Sequence, residues 1–347
     1  MVSIEVIAER FKVFAKRECK GSSELYEFLS KKISEDNELL ELSSCAKEGQ
    51  PIPNLFLGAI HYLLLKGTNH ELKEYYPSLV VYPRDIHHAI LPFKDFCNMY
   101  RNEIISILTT KLVQTNEVSR CGYLYPSFSY IYSKVKKPLA LIEIGTSAGL
   151  QLLWDKYNYS YDSHEVFENI KSNLFIQSEV RGNNKPHFLQ PFPPVTSRYG
   201  IDLHTVDVAN PDDSLWLQAL IWPEHKERRE RFKQAVACMN QYSDQVHLIE
   251  GDGVMLLPQI VQQIPQDSAV CIYHTHVANQ IPDKVKHSLT EHVRKIGSLR
   301  DTFHLYNNMW DRDLHLDSII DGIEYNERIG ETDGHGRWFT WEPSETV

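Results

Sequence analysis

The stretch Leu141-Ile-Glu-Ile-Gly-Thr-Ser-Ala-Gly149 constrains this chain more than any other. An apolar run from Leu139 to Ile144 stops at Gly145, and a helical pattern opens at Leu150 and runs to Tyr157. Strand, tight glycine turn and helix in that order mark the entry to a parallel sheet covered by helices. Gly145 permits a backbone turn barred to other residues, and Gly149 lets the helix start lie close to the strand. In an open α/β sheet a ligand sits at the carboxyl end of such a strand. Glu143 is the odd member of the run, because a buried carboxylate is costly unless a partner answers it. A cationic ligand or a protein partner is therefore expected beside it.

The flanking chain supplies two kinds of pattern. Residues 1–115 read as a helical domain: Ile4, Ile7, Ala8, Phe11, Phe14 and Ala15 recur at helical spacing, and Ser22-Ser23 offers a cap for a helix from Glu24. Leu55–Lys66 reads as a buried helix stopped by Gly67, and Phe93 to Leu108 carries a further apolar stripe, with a loop over 76–92 between them. Residues 116–347 read as an α/β domain. Beyond the first strand, Gly200-Ile-Asp-Leu203, Val246–Glu250, Ala269–Tyr273 and Thr302–Tyr306 are predicted strands. Helical patterns at Glu224–Tyr242, Gly253–Gln263 and Asp283–Lys295 separate the later ones. The polar, aromatic and proline-rich stretch at about 160–200 is expected as an insertion, a hairpin over one end of the sheet.

Bulk properties narrow the class. A formal charge of -10 opposes non-specific binding to nucleic acid, whose phosphates an acidic surface repels. The six cysteines include no C-x-x-C and no close pair, which suits reduced thiols in a cytoplasmic protein. The most apolar run, Leu55 to Leu65, contains His61 and is shorter than the roughly 20 residues a membrane span requires. No H-E-x-x-H or Cys/His spacing accompanies His87-His88 or His274-x-His276, so no metal is expected.

Glu143-x-Gly145-x-x-x-Gly149 is similar to the first motif of class I methyltransferases, with Ser147 where the commoner form has a middle glycine. That resemblance implies S-adenosylmethionine as cofactor, whose ammonium group would answer Glu143, with Gly145, Thr146, Ser147 and Gly149 forming its loop. It makes Asp202 the acid that takes the ribose hydroxyls, Asp252 the residue at the adenine ring, and His274 a substrate-side residue. Asp202 also reads as a turn residue before Val206-Asp207, and Asp252 as a helix cap. Gly145-Thr-Ser-Ala-Gly149 equally satisfies G-x-S-x-G, the nucleophile elbow of α/β-hydrolases, and Ser147…Asp252…His274 falls in hydrolase order. Hydrolases place several strands before the elbow, where this chain offers helix, and that reading leaves Glu143 unexplained. A non-catalytic relative that binds a nucleotide-like ligand or a protein partner is a third reading.

Over nearly its whole length the chain resembles a bacterial domain-of-unknown-function family, number 2332. The likeness rests on Thr115-Asn-Glu-Val-Ser-Arg120, on Glu143 to Leu150 followed by Trp154-Asp155, and on Gly200-Ile-Asp-Leu203 with Asp207. It continues through Trp216-Leu, Trp222-Pro-Glu and Arg228–Arg231 to His335-Gly-Arg-Trp338. It implies a Rossmann-like class I methyltransferase fold, a mostly parallel seven-stranded sheet with an N-terminal helical domain, and no particular reaction.

Either Thr115 or Asn116 caps a helix running toward Lys134 with Glu117 in its first turn, or Asn116, Glu117 and Arg120 lie over the methionine end of the cofactor, where Arg120 would hold its carboxylate. His335-Gly-Arg-Trp338 reads as a turn into a late antiparallel strand, or as a lining of the substrate pocket by His335 or Arg337. Glu224–Arg228 and Glu227–Arg231 read as ion pairs on a solvated helix face. The expected reaction is methyl transfer to an unknown small-molecule or protein acceptor, with His274 and then His335 as candidate bases.

Overall fold

The computed structural model describes residues 2–162, 165–167 and 172–344. They divide into two compact units, one of residues up to 115 together with 210–230, the other of 116–209 with the chain from 231 onward.

The first unit is helical. Its helices are α1 (Ile4–Phe14), α2 (Glu24–Ile33), α3 (Asn37–Ser43), α4 (Ile52–Leu65), α5 (Ile90–Met99) and α6 (Arg101–Thr110). Ser23 caps α2, its hydroxyl accepting from the Tyr26 amide at 3.1 Å. Helix α4 is apolar all round and buried along nearly its whole length, which makes it the centre of this unit. Phe56 of α4 meets Phe11 and Phe93 edge to face. The stripe from Phe93 to Leu108 is broken at Tyr100 into two helices rather than one.

In the second unit α7 (Cys121–Val135) leads into β1 (Leu139–Ile144). A 3-10 turn over Leu150–Lys156, kinked at Leu153, replaces the expected helix after the glycine loop. Next come β2 (Asn158–Tyr161), β3 (Glu165–Phe167), β4 (Phe175–Arg181) and β5 (Val195–Asp202). The chain then rejoins the helical unit through α8 (Pro211–Ala219), although the sequence had suggested α/β structure throughout this part. The reason is apolar: the Trp216 ring meets Tyr62 of α4, and Leu220 lies where Gly58 lacks a side chain. Glu224 does not pair along a helix as expected; it accepts from the Ser23 hydroxyl at 2.7 Å and the Leu25 amide at 3.0 Å. After α9 (Lys226–Gln241) follow β6 (His247–Glu250), α10 (Gly253–Val261), β7 (Ala269–His274), α11 (Asp283–Gly297), β8 (Thr302–Tyr306), β9 (Leu314–Ile320), β10 (Ile323–Gly330) and β11 (Trp338–Thr340).

Seven of these strands form one sheet in the order β10-β9-β8-β7-β1-β5-β6, parallel from β6 to β8 and antiparallel at β9. Counted by their sequence order within this sheet, the strands read 3-2-1-4-5-6-7, a doubly wound arrangement that reverses between β1 and β7. Strands β1 and β7 are buried at every position, which is why they read as apolar runs interrupted only at Glu143 and His274. On one face Ala140, Ile142 and Ile144 pack with Leu257 and Ile260 of α10 and Val293 of α11. Removing one such side chain, as in Ile142→Ala, costs about 2–5 kcal/mol. Glu143 points to the other face, toward α7.

A second sheet, in the order β11-β4-β2-β3, replaces the simple hairpin expected at 160–200. Residues 163, 164 and 168–171 of that expected insertion lie outside the described residues. Its end is not an insertion at all, since β5 joins the main sheet from Val195. Arg198 disguised the strand: a buried charge broke the apolar pattern, yet it is answered by Asp155 at 2.7 Å and the Leu152 carbonyl at 3.0 Å. Strand β11 runs parallel to β4, and an antiparallel bridge joins Phe339 to Thr332. Among the described residues no helix is long and apolar enough to cross a membrane.

Candidate functional site

The strand order turns at β1 and β7, so the loops leaving their carboxyl ends flank the position where open α/β sheets hold ligands. After β1 comes Gly145-Thr146-Ser147-Ala148-Gly149; after β7 come Thr275, His276 and Val277. Three non-glycine residues at this edge hold left-handed backbone conformations, Ser147 at φ 52°, His276 at 57° and Asn308 at 56°. Such strain, of order 1–3 kcal/mol each, gathers at sites where surrounding contacts overdetermine the backbone.

Every amide of the glycine loop is already engaged. Gly145 and Thr146 donate to the Ile201 carbonyl at 2.8 and 3.2 Å, and Gly149 donates to Thr146 at 3.0 Å. The Ser147 amide donates to Asp202 at 2.8 Å, and the Ala148 amide to the Asn116 side-chain oxygen at 3.3 Å. The Asn116 amide in turn donates to the Ser147 hydroxyl at 3.0 Å. Asn116 thus ties down the loop instead of capping a helix, and Glu117 does the capping, accepting from the Ser119 amide.

The acids end neighbouring strands. Glu143, near the end of β1, is buried and accepts from the Thr146 hydroxyl at 2.6 Å. Tyr273 is its register partner on β7 and shares its face. Burial pushes its carboxyl up to about 8, against hydrogen bonding that favours the ion, and the nearby Asp202 charge adds to the rise. Asp202 ends β5, accepting from the Ser147 and His204 amides. Asp252 follows β6 and caps α10, accepting from Val254 and Met255 at 2.9 and 3.1 Å. Exposed apolar side chains accompany both: Leu203 follows Asp202, and Met255 lies three residues after Asp252.

Val277 sits against the turn itself. A Cβ built on Gly145 would stand 2.4 Å from the Val277 methyl, and Gly145 has φ 75°, so glycine is required here by packing and by backbone alike. At Gly149 the corresponding space is taken by Leu248 and Met239.

The expected catalytic residues separate. His274 lies on the face opposite Glu143, its Nε2 3.1 Å from Nε2 of His304 and its ring stacked on Tyr306; burial pushes it down to about 4. The triad order in the sequence is not assembled: Ser147 bonds to Asn116, Asp252 caps a helix, and His274 pairs with His304. His335 is half-exposed, and its Nδ1 lies 3.1 Å from the buried Glu117 carboxylate. Arg120 is buried and turned onto backbone, donating to the Gly334 carbonyl at 3.0 Å and the Thr275 carbonyl at 3.1 Å. Arg337 pairs with Asp333 in the turn, and that pairing and the amides of 335 and 337 hold Asp333 near 2 despite burial.

Sequence reasoning missed His276, Asn307 and Asn308. Asn307 accepts from the His276 amide at 2.8 Å, and Asn308 donates to His276 Nδ1 at 2.9 Å. An Asn pair directly after a strand was the available signal, since Asn tolerates the left-handed backbone a tight exit needs. Among the described residues no group of three or more His, Cys, Asp or Glu is arranged to hold a metal ion, and the cysteines are free thiols.

Comparison with known proteins finds no match among curated proteins and none among solved structures. A family model described as an uncharacterized protein conserved in bacteria, DUF2332, matches residues 8–341, and the chain belongs to that family.

Proposed function

We propose that the carboxyl edge of β1, β5 and β6 binds S-adenosylmethionine in the manner of class I methyltransferases, and that the protein passes its methyl group to a small-molecule or protein acceptor. One observation carries the reading: this edge presents carboxylates at the ends of three adjacent strands, Glu143, Asp202 and Asp252, beside a glycine loop whose amides are all engaged. A pyrophosphate needs free amides and positive charge, so a dinucleotide is disfavoured. A cationic ligand bearing ribose hydroxyls meets what is offered.

In this reading Glu143 answers the ligand's positive charge and Asp202 accepts from the ribose hydroxyls. Asp252, Leu203 and Met255 border the flat adenine ring. Asn116, Glu117 and Arg120 stand at the amino-acid end. The cofactor supplies an already activated methyl group, so the chain's work is alignment and exclusion of water. For an acceptor that must lose a proton, His335 is the base: with Nδ1–H donated to Glu117, the Nε2 lone pair receives it. His274 has no part in this, being paired with His304 on the other face of the sheet. Val277 has to leave Gly145 for the ligand to settle there.

Calorimetric titration with S-adenosylmethionine, its demethylated product, NAD and ATP tests the proposal. The expected result is saturable binding of the first two alone. A folded protein that binds neither of them overturns it. The seat taken by Val277 favours a second reading, a non-catalytic relative, which predicts no label transferred from methyl-labelled cofactor to any component of a bacterial extract.

A further inference from the structure

His276 is tied to the protein at its backbone amide and at Nδ1, and is unpartnered at its buried Nε2. Its backbone amide donates to Asn307, its left-handed φ of 57° fixes the direction in which the side chain leaves, and its Nδ1 accepts from Asn308. An Asn amide nitrogen can only donate, so Nδ1 carries no proton and the neutral ring carries its proton on Nε2. That Nε2–H is shut off from solvent and meets no acceptor among the described residues. Leaving a buried donor unpaired is costly, a cost tolerated where a ligand supplies the acceptor.

The neighbourhood gives the sign of that acceptor. The ring lies against Gly334, with the buried Arg120 guanidinium bonded to the adjoining Thr275 and Gly334 carbonyls. Burial first, then the Arg120 charge, push the imidazole down to about 4 against the opposing pull of Asp333, so at neutral pH the ring is an uncharged donor in the field of the Arg120 cation. Such a field favours an anionic oxygen. The next residue along, Val277, covers Gly145, so this segment also borders the glycine loop.

We infer that His276 donates its Nε2–H to a carboxylate of the bound ligand, the carboxylate of the amino-acid end of S-adenosylmethionine. This rests on the binding proposed above. It gives His276 the role that the sequence suggested for Arg120, which is turned onto backbone carbonyls and acts here through its charge.

The test compares S-adenosylmethionine with decarboxylated S-adenosylmethionine, which differ only in that carboxylate. Calorimetry is run on the wild type and on His276→Ala, His276→Asn and His276→Gln. The wild type is expected to prefer the carboxylate form by about tenfold or more, the usual scale of one charge-assisted hydrogen bond. His276→Ala removes the donor, and His276→Asn, which suits a positive φ and so protects folding, has an amide too short to reach. Both are expected to bind the two compounds within about twofold of each other. His276→Gln, whose amide reaches as far as Nε2, should keep part of the preference. A wild type without preference, or a folded His276→Asn with the wild-type preference, overturns the inference. Failure of the wild type to bind either compound instead sinks the proposal beneath it, so the two failures are told apart.

Discussion

Glu143 carries the physical tension of this molecule. Its carboxyl is pushed up to about 8, mainly by burial, so the folded protein holds a proton there that the unfolded chain loses near 4.5. The sign of the linkage follows. Between those two values the native state binds more protons than the unfolded state, so this group's contribution to stability falls as pH rises through the window and levels off above it. The total is on the order of a few kcal/mol. Glu143→Gln, which keeps the shape and cannot ionise, is expected to be more stable than the wild type at pH 9 and close to it at pH 5. Urea unfolding of both proteins across that range measures it. Parallel curves would mean that Glu143 has an ordinary carboxyl in the folded protein.

At the scale of elements, the glycine loop and the loop after β7 are locked by one contact. Gly145→Ala meets the Val277 methyl and an unfavourable φ together, and is expected to cost about 2–5 kcal/mol, combining overpacking and left-handed strain. In a Val277→Ala background the clash is relieved and only about 1–2 kcal/mol of backbone strain should remain, a coupling read from a double-mutant cycle. Val277→Ala by itself should tighten S-adenosylmethionine binding several-fold, because the loop no longer has to vacate the seat. Unchanged or weaker affinity would show that the valine does not compete with the ligand.

These elements also mark how far the sequence could be read. The apolar runs of β1, β7 and β8 and the turn at Gly145 were legible because central parallel strands are buried on both faces and only a glycine fits under Val277. Strand β5 was legible only at its end, since Arg198 breaks the pattern and its partner Asp155 is distant in sequence. The acids at the strand ends could be named. That Asn116 bonds the glycine loop, that His274 faces away, and that His276 is held by Asn308 depend on pairings between remote segments, which local periodicity does not encode.

The molecule as a whole is a helical unit and a doubly wound α/β unit within one DUF2332 chain, with a formal charge of -10. An acidic protein draws in a cationic ligand over distances of about a Debye length, so S-adenosylmethionine affinity should weaken modestly between 0.01 and 0.3 M salt. A binding constant that rises with salt would contradict that picture. The central claim, that the buried acid of β1 answers the ligand's positive charge, has a direct signature. At pH 7 Glu143 is mostly protonated, and a cation settling beside it favours the ion and releases the proton. Calorimetric titrations of S-adenosylmethionine at pH 7 in phosphate and in Tris, whose ionisation heats differ, count that proton. The account predicts release approaching one proton per site in the wild type and none in Glu143→Gln. Binding with no difference between the two buffers, or the same release from both proteins, would contradict it.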